Sequence, residues 1–178
     1  MAVAGRDVEL VSATEADLAY VMATERLPGY DALVGRWDEA RHREALADGR
    51  YTYLLARAGD EPVGFAIVRG IHSADRVALV QRVAVSRPGE GLGKAMMRAV
   101  VGHVFETSAT YRLCIGTFPD NLRARRVYEA VGFVAEGVAR GAAFFHGVHR
   151  DELVLAILRP DWAAARAASP LARTPAPG

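Results

Sequence analysis

The sequence predicts a single α/β domain in which helices lie among the strands of one mixed sheet. Three observations favour this fold class. The chain has 178 residues, 51% hydrophobic and 24% charged, a composition typical of one globular domain with a sizeable core. Segments rich in β-branched and aromatic residues alternate with segments that carry helix caps or one apolar stripe. Their order, β-α-α-β-β-β-α-β-α-β-β, places helices between strands that share a sheet.

The first half of the chain contributes four predicted strands and two helices. Thr14 is a favourable N-cap for the first helix, and Gly49 is a favourable stop for the second. The strand at 77–85 carries apolar residues on both faces, as expected of a central strand that is covered on both sides. The predicted strands are 8–11, 51–57, 63–68 and 77–85, and the predicted helices are 15–25 and 38–47.

The second half continues the alternation. Helices are predicted at 91–106 and 121–131, and strands at 111–117, 133–138 and 152–158, with a further strand piece near Phe144. Pro160 suits the first turn of a short helix that begins near Arg159. We predict a folded domain over residues 1–162 and an Ala/Pro-rich tail over 163–178, and expect the residues after Ser169 to be disordered.

Composition excludes several function classes. A net charge of +1 gives no electrostatic case for nucleic acid or an anionic membrane as partner. The single cysteine, Cys114, permits no intrachain disulfide and no Cys-rich zinc site. We read His146 and His149 as strand residues that point to opposite faces, so no metal is expected. Charged residues interrupt the N-terminus before an apolar core of signal-peptide length, and no apolar run approaches a membrane span. We therefore expect a soluble cytoplasmic protein.

The strongest local signal is a buried strand that runs into a glycine-rich turn and then directly into a helix. Gly89, Gly91 and Gly93 alternate in this turn. Glycine lets the backbone approach a ligand, and the free amides of a helix's first turn favour an anion such as a pyrophosphate. A Walker loop would need Ser or Thr where Ala95 stands, and a dinucleotide fingerprint would need glycine where Lys94 stands. The alternative reading is an ordinary glycine-rich helix start.

A second motif follows the next strand: Asn121-Leu122-Arg123-Ala124, then Tyr128-Glu129 and Gly132-Phe133. Together the two segments resemble the GCN5-related N-acetyltransferase superfamily. The first is similar to its cofactor motif, (Gln/Arg)-x-x-Gly-x-(Gly/Ala), and the second to its Asn-x-x-Ala-x-x-x-Tyr-Glu-x-x-Gly-Phe helix. The resemblance in element order spans roughly residues 8–158, and the ending is similar to the bacterial branch that includes ribosomal-protein alanine acetyltransferases.

The resemblance implies a fold, a cosubstrate and a set of site residues. The implied fold is a mixed, mostly antiparallel sheet of six to seven strands flanked by about four helices. The implied cosubstrate is acetyl-CoA, without a metal: strand 83–85 would pair with its pantetheine arm, amides of the glycine turn would surround its pyrophosphate, and Tyr128 would lie near its sulfur. The implied cofactor-binding residues are Val83, Ala84, Val85, Arg87, Gly89, Glu90, Gly91, Leu92, Gly93, Lys94, Asn121, Arg123 and Ala124.

Pro88 departs from the motif, because it occupies the Gln/Arg position. Arg87 lies one residue early, and whether it substitutes is open. An amide cradle made of main chain is unaffected by this change, whereas a side-chain contact from the first motif position is in doubt.

Acetyl transfer to an amine needs a neutral amine, a donor for the oxyanion and a proton for the leaving thiolate. We take a backbone amide near Val83 as the oxyanion donor and Tyr128 as the acid, since a phenol stays protonated at neutral pH. Core packing is the alternative role of Tyr128. No general base is evident: Glu25, Asp75 and Asp151 are candidates but read as solvated charges, and a water chain would also serve.

Two further features can be interpreted either as structural or as functional. Cys114 lies mid-strand and is interpreted as a small apolar residue rather than a covalent nucleophile. The run Arg123, Arg125 and Arg126 is interpreted as a solvated helix face, although Arg123 or Arg126 would also suit a cofactor phosphate.

The identity of the amine acceptor is the property that the sequence determines least. The family resemblance implies an acceptor groove near residues 25–37 and 144–149, where Glu25, Tyr30 and Asp31 would attract a cation. A protein N-terminus and a small-molecule amine both remain open. So do a non-catalytic acyl-CoA-binding regulator on the same fold and a nucleotide-binding module. Exposed strands near the C-terminus are compatible with a homodimer.

Overall fold

The structure, a computed structural model, describes residues 8–168. Within these residues, seven strands form one sheet. The strands are β1 (Glu9–Ser12), β2 (Tyr51–Ala58), β3 (Glu61–Arg69), β4 (Val77–Val85), β5 (Arg112–Thr117), β6 (Val134–Phe145) and β7 (Val148–Leu158). Their spatial order is β1-β2-β3-β4-β5-β7-β6, and every neighbouring pair is antiparallel except β4–β5, which is parallel. The predicted mixed, mostly antiparallel sheet is confirmed.

In the described part of the chain, five α-helices and one 3-10 turn accompany the sheet. They are the turn at Glu15–Asp17, α1 (Leu18–Glu25), α2 (Glu39–Ala47), α3 (Leu92–Thr107), α4 (Leu122–Glu129) and α5 (Arg159–Ala168). Helix α3 connects the parallel strands β4 and β5, as a crossover between parallel strands requires. Within residues 8–168, no helix has the length and apolarity needed to cross a membrane.

The two sheet faces are covered by different helices. On one face, α3 contributes Met96 and Val100 to a core that includes Val80 and Ile115. On the other face, Val21 of α1 and Ala45 of α2 belong to a second core that includes Phe65 of β3. Adjacent strand residues point to opposite faces, so the central strands supply apolar side chains to both cores. The prediction that the strand at 77–85 is central and covered on both sides is confirmed.

The last two strands differ most from the prediction. Strands β6 and β7 form one long hairpin, whereas the sequence predicts a short strand at 133–138 and another that begins at Glu152. The turn is His146-Gly147, with φ of 50° and 81°. The prediction that His146 lies in a strand is therefore wrong. Two register shifts in the hairpin, between Ala135 and Gly137 and between Ala139 and Ala143, break the alternation that a sequence pattern relies on.

Strands β4 and β5 separate from each other halfway along the sheet. Their pairing runs from Val77↔Arg112 to Val80↔Ile115 and stops there. Strand β4 nevertheless stays paired with β3 as far as Val85. Strand β5 likewise stays paired with β7 to its last residue. The outer neighbours thus hold the two strands apart, and a gap opens in the middle of the sheet.

Helix α5 fastens the end of β7 to the end of α3. The Arg159 guanidinium donates to the carbonyls of Phe105 (2.6 Å), Ser108 (2.7 Å) and Thr110 (2.8 Å). Trp162 packs against the Phe105 ring. Residues 163–168 continue α5 although the sequence assigns them to the tail. The predicted boundary at 162 stays a prediction, and the expected disorder after Ser169 lies outside the described residues.

Candidate active site

The gap between β4 and β5 is the middle of a cavity of about 320 Å³. Its walls come from both faces of the sheet. Met96 and Tyr128 line it from the helices on one face, and Tyr30 and Gly35 line it from the α1–α2 connection on the other. The cavity therefore passes through the sheet, and two molecules that enter from opposite faces would meet between the strands.

The free edge of β4 presents backbone hydrogen-bonding groups to this cavity. The Ser86 N–H donates to the Val63 carbonyl of β3 (2.9 Å). Because alternate residues of a strand direct their N–H and C=O groups to the same edge, Val83 and Val85 direct theirs away from β3 and into the gap. The Tyr30 hydroxyl lies there: it donates to the Val85 carbonyl (2.8 Å) and accepts from the Val85 N–H (3.4 Å).

A β-bulge at Gln81 changes the phase of β4 just before this edge. The register with β3 passes from Ile67↔Arg82 to Val68↔Val80, which leaves Gln81 as the extra residue. Val80 and Val83 consequently both contact the α3-side core, while Arg82 points to the α1 face. The bulge re-aims these side chains at the point where β4 leaves β5.

The first turn of α3 adjoins the cavity, as the glycine-rich motif predicts. Gly91 is the N-cap, with φ of 80°, and Gly89 has φ of 98°. These left-handed conformations favour glycine. The N–H groups of Leu92, Gly93 and Lys94 precede the first helical bond, from the Ala95 N–H to the Gly91 carbonyl, and a helix start of this kind suits an anion. The Leu92 side chain itself is buried in the core.

The residues predicted to bind a cofactor fall into two groups. Those that line the cavity are Val83, Ala84, Val85, Gly93, Asn121, Arg123 and Ala124. The others lie in the turn and the helix start beside it. Arg87 is held by Glu61 (3.0 Å) and by Glu90 (3.3 Å), so its guanidinium is engaged by carboxylates of the protein itself. Asn121 caps α4 by accepting from the Ala124 N–H (3.2 Å).

Tyr128 both packs in the core and lines the cavity. Only 8% of the residue is exposed, and its ring contacts Phe133. Burial raises the pKa of the Tyr128 hydroxyl, and the neighbouring Tyr30 raises it further. The phenol is therefore protonated at neutral pH, as a proton donor must be. The two readings of this residue are compatible, because a core ring can direct its hydroxyl into a cavity.

Sequence reasoning missed Glu152, the acidic residue that lines the cavity. Its side chain folds over Gly116 of β5: a Cβ atom built on Gly116 would lie 2.0 Å from Glu152 Oε1. Burial raises the pKa of the Glu152 carboxyl above its usual value. Within residues 8–168, no cation lies within ion-pairing distance of it. A half-buried, unpaired carboxylate in a cavity is a candidate proton acceptor.

Glu25 has a different role from the one predicted. The sequence suggests a solvated charge or an amine-attracting group, but Glu25 is fully buried. Its carboxylate accepts from Arg82 (3.0 Å), Arg26 (2.7 Å) and the Trp37 N–H (3.3 Å), and it contacts His42 Nε2 (3.3 Å). Both the solvated and the acceptor-binding readings of Glu25 are therefore wrong: it ties α1 and the α1–α2 connection to the bulged part of β4.

The other candidates for base or nucleophile lie elsewhere. Asp75 and Cys114 line a separate cavity at the far end of β4. Asp151 accepts from the Gly141 N–H (2.8 Å) within the β6–β7 hairpin. Among residues 8–168, no three His, Cys, Asp or Glu side chains are grouped as a metal site requires.

The two segments predicted to form the acceptor groove do meet. The His146 Nε2–H donates to the Asp31 carbonyl (2.6 Å), and Arg150 donates to the Ala32 carbonyl (3.1 Å). These bonds join the β6–β7 hairpin to the α1–α2 connection. Leu33 and Phe145 consequently face the same cavity on the side opposite α3.

Comparison with known proteins identifies the family. Residues 19–133 match the model of the Acetyltransferase (GNAT) family, which is more than half of the chain. The chain belongs to this family. The splayed β4–β5 pair and the glycine-rich start of α3 lie within the matched region.

Curated relatives match this GNAT chain over shorter stretches. The probable N-acetyltransferase YjcK of Bacillus subtilis is 41% identical over 73 residues, 41% of this chain and 40% of the relative. The ribosomal protein uS5-alanine N-acetyltransferase of Escherichia coli is 28% identical over 78 residues, 44% of this chain and 40% of the relative. The chain thus spans less than half the length of the curated relatives it matches.

Solved structures show the same fold at low sequence identity. A spermidine N-acetyltransferase from Vibrio cholerae, in complex with CoA and spermine, has a TM-score of 0.78 at 16% identity and covers 89% of this chain and 99% of that one. The ribosomal-protein-S18-alanine N-acetyltransferase of Escherichia coli has a TM-score of 0.68 at 18% identity and covers 85% and 93%.

Proposed function

We propose that this GNAT chain transfers an acetyl group from acetyl-CoA to a primary amine by direct attack in a ternary complex. One observation carries the proposal: a cavity passes through the sheet at the β4–β5 gap, and it is lined by Tyr128 of α4 on one face and by Glu152 of β7 on the other. Family membership supports the cosubstrate. Named relatives that acetylate ribosomal-protein alanine or polyamines support an amine as acceptor.

The residues on the α3 side fit acetyl-CoA. The first-turn amides of Leu92, Gly93 and Lys94 suit a pyrophosphate. Val83 and Val85 offer the alternating N–H and C=O groups with which an amide-containing chain can pair as an added strand. Tyr30 shields the Val85 groups, so cofactor binding requires its hydroxyl to move.

Acetyl-CoA would supply an activated acetyl thioester. Glu152 would take the proton that the amine must lose, and its raised pKa makes it a stronger proton acceptor than an exposed carboxylate. The Val83 N–H, at the open strand edge, would donate to the oxygen that becomes negative when the amine nitrogen bonds to the acetyl carbon. Tyr128 would give its proton to the sulfur as the C–S bond breaks, and solvent would restore both protonation states.

Acetyl-CoA binding measured by calorimetry, with ATP and NAD as controls, tests the first step. We expect selective binding of acetyl-CoA, followed by thiol release when an amine is added. Binding without release for any amine would support a non-catalytic acyl-CoA regulator instead. Selective binding of ATP or NAD would favour a nucleotide-binding module, and a folded protein that binds none of the three would contradict the proposal.

A homodimer and a cytoplasmic location also remain proposals. Strand β6 is at the edge of the sheet and carries exposed apolar residues such as Val134 and Phe144. Such an edge can pair with another chain. Light scattering of the purified protein would give its oligomeric state.

A further inference from the structure

The acceptor side of the cavity has mainly apolar walls. Leu33 and Val34 line it from the α1–α2 connection, and Ala143 and Phe145 line it from β6. Phe118, just after β5, packs edge-to-face on Phe145 with ring centroids 5.2 Å apart. A hydrocarbon or aromatic group attached to the amine would be removed from water here.

This side offers one carboxylate to a positive charge. Glu152 is the acidic residue that lines the cavity. The nearby acids are already paired: Asp120 contacts Arg150 (3.3 Å), Asp31 is paired with Arg36, and Glu25 is buried against Arg82. An acceptor with a second ammonium group would therefore find no second free carboxylate among the acids described here.

In the part of the chain that the structure describes, one arginine of the cavity has no carboxylate partner. Arg123 lines the cavity and forms no ion pair among residues 8–168, whereas Arg150, which lies over the Phe118 ring (3.6 Å from its centroid), is balanced by Asp120. Like charges repel, and the repulsion is strongest where water is partly excluded. A second cation within the cavity would therefore be repelled by the Arg123 guanidinium.

We infer that the acceptor is a primary amine with a single positive charge and an apolar or aromatic group beside it, and not a polyamine. This inference rests on the proposed function and names the substrate class of the same site. One carboxylate matches one ammonium group, the aromatic wall contacts the neighbouring hydrocarbon, and Arg123 discriminates against further positive charge.

The test compares hexylamine with 1,6-diaminohexane, two acceptors that differ only in the second amine, together with phenethylamine and spermine. Thiol release from acetyl-CoA gives kcat/KM for each. We expect the two monoamines to exceed the diamine and spermine by at least about 10-fold at low salt. Added salt should narrow the difference, because it screens the repulsion.

Two aromatic-to-alanine variants show whether the apolar wall contributes. Phe145→Ala should lower kcat/KM for phenethylamine by roughly 10-fold or more, since a buried aromatic contact is lost. Tyr111→Ala is the control: Tyr111 is an aromatic residue beside the start of β5, is 50% exposed and does not line the cavity. The control should keep kcat/KM, and both variants should bind acetyl-CoA like the unaltered protein.

The outcomes distinguish the inferred acceptor class from the proposed acetyl transfer itself. Equal or higher kcat/KM for the diamine or spermine would overturn the acceptor class but leave acetyl transfer intact. A Phe145→Ala variant that matches the Tyr111→Ala control would overturn the role of the aromatic wall. Acetyl-CoA binding without thiol release for any of the four amines would overturn the proposed function, and the acceptor class with it.

Discussion

Replacing Gly116 by alanine should displace the Glu152 carboxylate without removing it. A Cβ atom at this position would lie 2.0 Å from Glu152 Oε1 and 2.4 Å from its Cδ, whereas ordinary contacts begin at 3.4 Å. Gly116 does not have a positive φ, so the β5 backbone accepts alanine without strain. The clash is with the end of a flexible side chain. The carboxylate must therefore move by more than about 1 Å, and such a misplacement costs roughly 100-fold in rate.

The stability of the Gly116→Ala variant should change little. Alanine is favoured over glycine in a strand by about 0.5–1 kcal/mol, which offsets the cost of turning the Glu152 side chain. We therefore expect kcat to fall about 100-fold while the free energy of unfolding stays within about 1 kcal/mol of the original. Thiol release and denaturant unfolding measure the two quantities on the same sample.

Two controls make this prediction refutable. Gly102→Ala, in α3, places its Cβ in open space and should keep kcat while stabilising the fold by up to about 1 kcal/mol. Combining Gly116→Ala with Glu152→Gln should be no slower than Glu152→Gln alone, because both changes act through one carboxylate. A Gly116→Ala enzyme with unchanged kcat, or fully additive losses in the double variant, would refute the assigned role of Glu152.

Three further variants test the site. Glu152→Gln should remove the limb of the pH–rate profile in which kcat rises as Glu152 loses its proton. The same substitution should also stabilise the fold at neutral pH. The pKa of Glu152 is higher in the folded state than its usual value near 4.5, so the native carboxyl lowers the free energy of unfolding as pH rises from 4.5 through the folded-state pKa. Glutamine does not titrate and avoids this loss. Tyr128→Phe should lower kcat by about 100-fold or more, with acetyl-CoA affinity kept, if the phenol donates a proton; unchanged kcat would exclude this. Tyr30→Phe should tighten acetyl-CoA binding about 2- to 10-fold, because the cofactor no longer has to displace the hydrogen bond between Tyr30 and Val85. Calorimetry measures this affinity, with Tyr111→Phe as the control. Weaker binding by Tyr30→Phe would show that Tyr30 contacts the cofactor instead.

The parts of the site that the sequence predicts are those encoded locally. The sequence predicts the strand at 77–85 with its actual bounds, because apolar residues on both faces lead into the turn that contains Gly89. Helices α3 and α4 begin within one residue of their predicted starts, and Gly91 and Asn121 are their N-caps. The cofactor side is built almost entirely from such segments.

The acceptor side could not be predicted, because it depends on contacts between distant segments. Arg82 and Glu25 are 57 residues apart, and their pairing requires the bulge at Gln81, which no local pattern marks. Asp151 and Glu152 are adjacent, and only the register of β7 decides which of them faces the cavity. The shifts near Gly137 and Gly141 hide that register from any count of alternating residues.

Arg159 lies far from the cavity but joins two of the elements that carry its residues. Helix α3 has 16 residues, so its C-terminal end lies about 24 Å from the amide cradle at its start. Strand β7 runs from the neighbourhood of Glu152 to the same distant place, where Arg159 clamps it to the last carbonyls of α3. The carboxylate and the cradle therefore belong to two elements that Arg159 also joins at their far ends. Substitutions that widen the range of acceptors would alter the cavity walls between these elements, whereas a substitution at Arg159, which does not line the cavity, would loosen the support of both elements at once.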